Sequence, residues 1–293
     1  MKKLYGTGVA LVTPFKRNGK IDFNGIGKIL KYIENKVDYL VILGTTAETS
    51  TLKKNEKKDI IEYIKSSNYK KIPLILGIGG NNTEDVIKKI KSINLSDFLA
   101  ILSVSPYYNN PSQEGIYQHF KSIIDNTDAN IIVYNVPKRT GSNVFPETVI
   151  RLANDFNRII GIKEASGDIL QSYKIIEKKP NNFSVISGDD FISLPLILGG
   201  GDGIISVIAQ GFPDKVSKMI YLAKKNEAKK AFSIFYELLH MIYLIYEEGN
   251  PTGIKTFLDI IGICSSHVRL PLLSGTPDLK EKMQFLLKKL QIN

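Results

Sequence analysis

An α/β barrel is the fold this sequence predicts, and three observations predict it. Short β-branched runs recur along the chain, each followed by a longer amphipathic segment, which is the pattern of repeated βα units. The runs are almost continuously apolar, as parallel strands covered by helices on both faces must be. The length of 293 residues suits one such barrel, which takes roughly 250, with a remainder for a small addition. The expectation is a (β/α)8 TIM barrel over residues 1–224 and a small all-helical C-terminal domain over 225–293.

Eight strand candidates follow in order. They are TGVALVTPF near Gly8, DYLVILGTT near Val41, IPLILGIGG near Leu74, FLAILSVSPYY near Ile101, IIVYNVP near Val133, IIGIKEA near Ile162, FSVISGDD near Val185 and GIISVIA near Ile205. The helices between them carry start signals. Asp22 precedes a segment in which Ile26, Ile29, Leu30 and Ile33 form one apolar face. Thr83 is expected to cap the helix of NNTEDVIKKIKS, with Glu84 and Asp85 facing the positive end of its dipole. No G-x-G-x-x-G follows the first strand, so a doubly wound dinucleotide fold lacks support. From Lys225 the alternation stops, and NEAKKAFSIFYELLHMIYLIY, IKTFLDIIG and DLKEKMQFLLKKLQ all read as helix.

Composition excludes several functions. The net charge is +10, yet only five of the 39 basic residues are arginine: Arg17, Arg139, Arg151, Arg158 and Arg269. The lysines stand in short runs such as KKNEKK among acidic residues, which reads as solvated helix faces. Nucleic-acid sites add arginine forks and interleaved aromatics. Cys264 is the single cysteine, so no intramolecular disulfide or multi-cysteine metal site can form, and a reducing, cytoplasmic setting fits. The opening MKKLYGTGVALVTPF is read as a first strand, because its apolar run is short, holds glycines and lacks a small-residue cleavage site. No stretch approaches the roughly 18 apolar residues that span a bilayer. His119, His240 and His267 lack metal-type spacing, and neither a P-loop nor a G-x-S-x-G elbow occurs. No metal or cofactor, no nucleic acid and no membrane is therefore expected.

In such barrels chemistry sits at the C-terminal strand ends. Those ends carry Thr45 and Thr46, Tyr107 and Tyr108, Tyr134, Lys163 and the SGDD segment. Lys163 interrupts an apolar strand, and a lysine so placed either pairs with a carboxylate, Glu164 being nearest in sequence, or acts as an amine nucleophile toward a ketone. The second course forms an imine whose neighbouring carbon loses a proton and becomes a nucleophilic enamine, with tyrosine and threonine hydroxyls suited to the proton transfers. Taken singly, the threonines read as strand-end caps, the tyrosines as core aromatics and Arg139 as a surface residue. Together they favour the aldolase reading.

Four ordered motifs carry a specific resemblance: GTTAET (Gly44–Thr49), SPYYNNPSQEGIYQHF (Ser105–Phe120), YNVPKRTG (Tyr134–Gly141) and GIKEASGD (Gly161–Asp168). With SGDD, GGDGIISV and the late NP at Asn250, the chain resembles the dihydrodipicolinate synthase family of Schiff-base pyruvate aldolases over nearly its whole length. The resemblance implies condensation of pyruvate, held as an imine on Lys163, with L-aspartate 4-semialdehyde on the way to diaminopimelate and lysine. It implies proton relay by Tyr134, Thr45 and Tyr108, the last reaching into a neighbouring subunit, and a pyruvate site lined by Thr46, Gly188 and Ile205. An active homodimer or homotetramer follows, with no cofactor. Arg139 matches the position whose guanidinium forks onto the semialdehyde's carboxylate, and it separates this reading from N-acetylneuraminate lyase and the oxo-deoxy sugar acid aldolases.

Two departures from the family pattern stand out. Ala47 replaces a glycine and Thr49 a serine, so Ala47 would be strained by about 1 kcal/mol if its turn required positive φ. At the effector position of lysine-inhibited relatives, Lys54 and Lys57 would repel a cation, leaving Asn81, Asp85 and Tyr107 as possible ligands. Weak or absent inhibition by L-lysine is expected.

Overall fold

The computed structural model describes residues 4–289; the start of the opening segment, Met1–Lys3, and the end of the last helical pattern, Leu290 and Gln291, lie outside the described residues. Eight strands are present: β1 (Gly6–Ala10), β2 (Tyr39–Ile42), β3 (Leu74–Gly77), β4 (Ala100–Val104), β5 (Ile131–Asn135), β6 (Ile159–Glu164), β7 (Ser184–Ser187) and β8 (Gly203–Ser206). They form a closed barrel in chain order, with parallel registers such as Gly8 with Tyr39 and Tyr134 with Lys163. Each strand lies where its apolar run predicts. Nearly every strand residue is buried, which confirms the reading of strands covered on both faces.

Twelve helices accompany them among the described residues: α1 (Phe23–Ile33), α2 (Lys54–Ser67), α3 (Thr83–Lys91), α4 (Gln113–Asn126), α5 (Pro137–Thr140), α6 (Pro146–Asp155), α7 (Ile169–Lys178), α8 (Ser193–Leu198), α9 (Pro213–Lys224), α10 (Ala228–Glu247), α11 (Thr252–Ile260) and α12 (Pro277–Lys289). Their starts follow from local chemistry. Ser112 accepts from the Gly115 N–H at 3.2 Å before α4, and Asp168 accepts from the Leu170 and Gln171 N–H groups at 2.9 and 3.0 Å before α7. Pro146 and Pro213 open α6 and α9 at positions where a missing N–H costs nothing. Asp22 stands at the N-cap position of α1, but its side chain makes no capping hydrogen bond. The cap of α3 also differs from expectation. Asn82, not Thr83, accepts from the Glu84 and Asp85 N–H groups, and Thr83 is the first helical residue, its hydroxyl 2.8 Å from His119 Nδ1. A tertiary partner on α4 takes the threonine, and the neighbouring amide takes the cap.

Two compact units emerge from the packing. One comprises the chain up to Thr7 with Pro73–Ile205, and so holds β3–β7, most of β8 and α3–α8. The other comprises Gly8–Ile72 and the chain from Ser206 onward, with β2, α1, α2 and α9–α12. In the second unit α10 packs against α9, α11 and α12. Ala231, Phe235, Leu238, Met241, Ile242 and Ile245 of α10 are buried at helical spacing, whereas Tyr236 and Tyr243 face solvent. Phe212 and Phe257 join this core with ring centroids 4.8 Å apart. Cys264 is buried, which pushes its thiol up to about 12. No described helix is long and apolar enough to cross a membrane.

Candidate active site

In the first unit, β5 and β6 place Tyr134 and Lys163 directly opposite each other in register. Lys163 is 6% exposed and Tyr134 7%, and the ammonium nitrogen lies 4.4 Å from the phenol ring centroid. No ion pair reaches Lys163 among the described residues, so the pairing with Glu164 that the sequence left open does not form. The reason is strand alternation, which sends consecutive side chains to opposite faces. Space for the lysine stem comes from the residue after β7: a Cβ on Gly188 would stand 2.7 Å from Lys163 Cε and 2.8 Å from Ala165 Cβ, which favours glycine there. Ile205, 1% exposed, ends this unit on β8.

Behind the pair, Asn135 and Glu164 form the next register pair on the opposite face. The Glu164 carboxylate is fully buried and accepts from Asn135 Nδ2 at 3.0 Å, Gln171 Nε2 at 3.1 Å and the Ser166 N–H at 2.7 Å. Asn143 Nδ2 donates to Gln171 at 2.8 Å, and the Val144 N–H to Asn135 at 3.0 Å. Burial raises the Glu164 carboxyl above the ordinary range, opposed by those donors. Sequence reading missed this network. The available signal was a polar residue directly after Tyr134 and directly after Lys163, at the end of an otherwise apolar strand.

Tyr108 follows β4 and is 88% exposed with φ of +74°, a backbone setting that a bulky residue rarely adopts without a local role. Tyr107 beside it is 40% exposed. Arg139 lies on α5, whose limits are written in YNVPKRTG: Pro137 opens the turn and Gly141, at φ of +73°, closes it. The guanidinium-bearing residue is exposed. Ser142 ties this turn to the tyrosine loop by donating to the Pro106 carbonyl at 2.8 Å. Of the effector candidates, Asn81 and Asp85 are exposed, and no side-chain hydrogen bond joins them to each other or to Tyr107.

In the second unit GTTAET forms two 3-10 turns, Thr45–Ala47 and Thr49–Thr51. Thr45 is exposed and Thr46 is 4% exposed. Ala47 does not occupy the left-handed region; Leu43 and Glu48 do, each at φ of +53°, so the conditional strain at Ala47 does not arise. Its carbonyl accepts from Thr13 Oγ1 at 2.8 Å, and Thr49 Oγ1 donates to the Leu43 carbonyl at 2.7 Å. The Glu48 carboxylate meets Lys255 Nζ at 2.5 Å and accepts from the Arg269 N–H at 2.8 Å. Lys255 is fully buried, also donates to the His267 carbonyl at 2.9 Å, and lies 4.2 Å from the Phe15 ring centroid. Desolvation lowers its pKa, with Glu48 acting in the opposite direction. Asn250 Nδ2 donates to Thr46 Oγ1 at 3.0 Å. None of these supports was assigned from sequence beyond Asn250 as part of a motif, because a lysine in an amphipathic helix gives no sign of which face it occupies.

The chain has extensive likeness to known proteins. The sequence model of the Dihydrodipicolinate synthetase family matches residues 3–290. A curated 4-hydroxy-tetrahydrodipicolinate synthase of Karelsulcia muelleri is 54% identical over 285 residues, 97% of this chain and 96% of that protein. The protein of the same name from Flavobacterium psychrophilum is 50% identical over 291 residues, 99% of each chain. The crystal structure of dihydrodipicolinate synthase from Thermotoga maritima superposes with a TM-score of 0.95 at 35% identity, covering 100% of both chains. That of the Acinetobacter baumannii enzyme complexed with pyruvate gives 0.95 at 34% identity, covering 99% of this chain and 100% of that one.

Proposed function

The chain belongs to the dihydrodipicolinate synthetase family, and on that premise we propose that Lys163 carries the condensation of pyruvate with L-aspartate 4-semialdehyde that yields 4-hydroxy-tetrahydrodipicolinate. The observation that carries the assignment is Lys163 itself: a buried strand-end amine without a carboxylate partner, set against Tyr134. The amine adds to the pyruvate ketone and water leaves, giving a protonated imine. Loss of a proton from the methyl carbon gives the enamine, which attacks the aldehyde carbon. The amino group of the acceptor then displaces Lys163 as the ring closes, so the sum is one product, one water and one proton.

Tyr134, Thr45 and Tyr108 relay the protons in this reading, with Tyr108 extending into the site of a second copy. Its exposure of 88% and its left-handed backbone support that role. Thr46, Gly188 and Ile205 line the pyruvate site, and Arg139 receives the semialdehyde carboxylate. The active form is a homodimer or a pair of dimers, working in the cytoplasm without a cofactor.

The test is borohydride trapping. Incubation with pyruvate and reduction is expected to leave an adduct on Lys163 alone, found by peptide mass spectrometry and absent from Lys163→Ala. An adduct on Lys255, the other buried lysine among the described residues, or on none in folded protein would overturn the assignment. The trapped enzyme's acceptor is then identified by offering aspartate semialdehyde against N-acetylmannosamine.

A further inference from the structure

Thr46 Oγ1 accepts a hydrogen bond from Asn250 Nδ2 at 3.0 Å, across a sequence separation of 204 residues. A hydroxyl that accepts in this way still holds one proton to donate. Among the described residues no acceptor takes that proton, although Thr46 is only 4% exposed. A buried donor with nowhere to donate is costly unless a ligand completes it. The loop that carries it is fixed on both sides. Thr13 holds the Ala47 carbonyl, and Glu48, two residues after Thr46, is anchored in the left-handed region by the fully buried Lys255. Lys255 lies five residues beyond Asn250, on α11. One short stretch, Asn250 to Lys255, thus holds both the side chain of Thr46 and the backbone around it.

We infer that Asn250 is a positioning residue for substrate binding: by donating to Thr46 Oγ1 it commits the threonine hydroxyl to donate outward, to the carboxylate of a 2-oxo acid. The contact explains why the segment starting at Asn250 is joined to a loop so distant in sequence. It rests on the reading that Thr46 faces pyruvate, and deepens it by naming the group that sets the hydroxyl's polarity. An acceptor at position 250 would instead capture the threonine proton and add negative charge beside an anionic substrate.

Steady-state kinetics and a double-mutant cycle test this. Asn250→Ala is expected to raise the KM for pyruvate roughly ten- to a hundredfold, the range for a hydrogen bond to a charged group, with kcat at saturating pyruvate within about threefold of the parent. Asn250→Asp should raise it further while keeping the side-chain shape, and it carries the test if the alanine variant does not fold. In a Thr46→Val background, Asn250→Ala should have almost no further effect on that KM, because the residue acts through the missing hydroxyl. Additive effects in the cycle, or a pyruvate KM within twofold of the parent in folded Asn250→Asp, would overturn the inference. If the parent forms no borohydride-trapped adduct on Lys163, it is the underlying reading that fails. If the adduct forms and the cycle is additive, only the role of Asn250 falls.

Discussion

Lys255 is fully enclosed and lies 2.5 Å from the Glu48 carboxylate, whereas Lys163, 6% exposed, faces a phenol ring and has no ion pair among the described residues. A buried ammonium normally requires the first arrangement, since removing an ion from water costs several kcal/mol that a close counter-charge must offset. The second arrangement leaves Lys163 Nζ without a carboxylate partner among the described residues, as the proposed nucleophile requires. Both lysines interrupt apolar sequence, so the interruption alone did not separate structural from chemical use. The exposed Arg139 makes the complementary case. Its position on the short α5 turn between Pro137 and Gly141 was legible in YNVPKRTG. Arg139→Ala is expected to raise the KM for the semialdehyde about ten- to a hundredfold, as loss of a bidentate carboxylate contact should, while adduct formation with pyruvate on Lys163 is unchanged. An unchanged semialdehyde KM would contradict its role.

At the level of elements, the strands and most helix starts follow from local chemistry, and the exceptions are contacts between elements. Thr83 was expected to cap α3, but its hydroxyl turns to His119 on α4, and Asn82 caps instead. His119 is 4% exposed, its Nε2 has no partner among the described residues, and burial brings its imidazole down to about 4 from an ordinary value near 6.5. Between those two values the unfolded chain binds more protons than the folded one. Stability from this residue is therefore complete above about pH 6.5 and is lost as pH falls toward 4, by about 3 kcal/mol at most. Urea midpoints measured at pH 7 and pH 4.5 should fall further for the parent than for His119→Gln. Equal losses would remove His119 from the acid response. The GTTAET loop teaches the same lesson: the sequence placed it at a strand end, while the turn geometry assigned positive φ to Leu43 and Glu48 and spared Ala47.

For the whole molecule, the net charge of +10 is carried by surface lysines interleaved with acids, as in the Lys88–Glu84 and Lys282–Asp278 pairs one helical turn apart. The same distribution bears on regulation. Asn81 and Asp85 are exposed and Tyr107 partly so, while Lys54, the first residue of α2, is also exposed. With lysines at the positions matching the family's effector loop, L-lysine at sub-millimolar concentration is expected to inhibit weakly or not at all. A steady-state titration showing strong inhibition in that range would refute this. What the sequence by itself determined is the barrel, its eight strands in order and the strand-end residues to which the chemistry is assigned by proposal, because apolar runs, turn residues and ordered motifs are local properties of a chain. Only the tertiary structure decided that Lys163 stands clear of Glu164, that Asn135, Gln171 and the Ser166 N–H donate to that carboxylate, and that Asn250 and Lys255 hold the threonine loop from more than 200 positions away. Those partners are chosen by burial, which requires each enclosed polar group to find a match wherever folding brings one, and sequence distance does not restrict that choice.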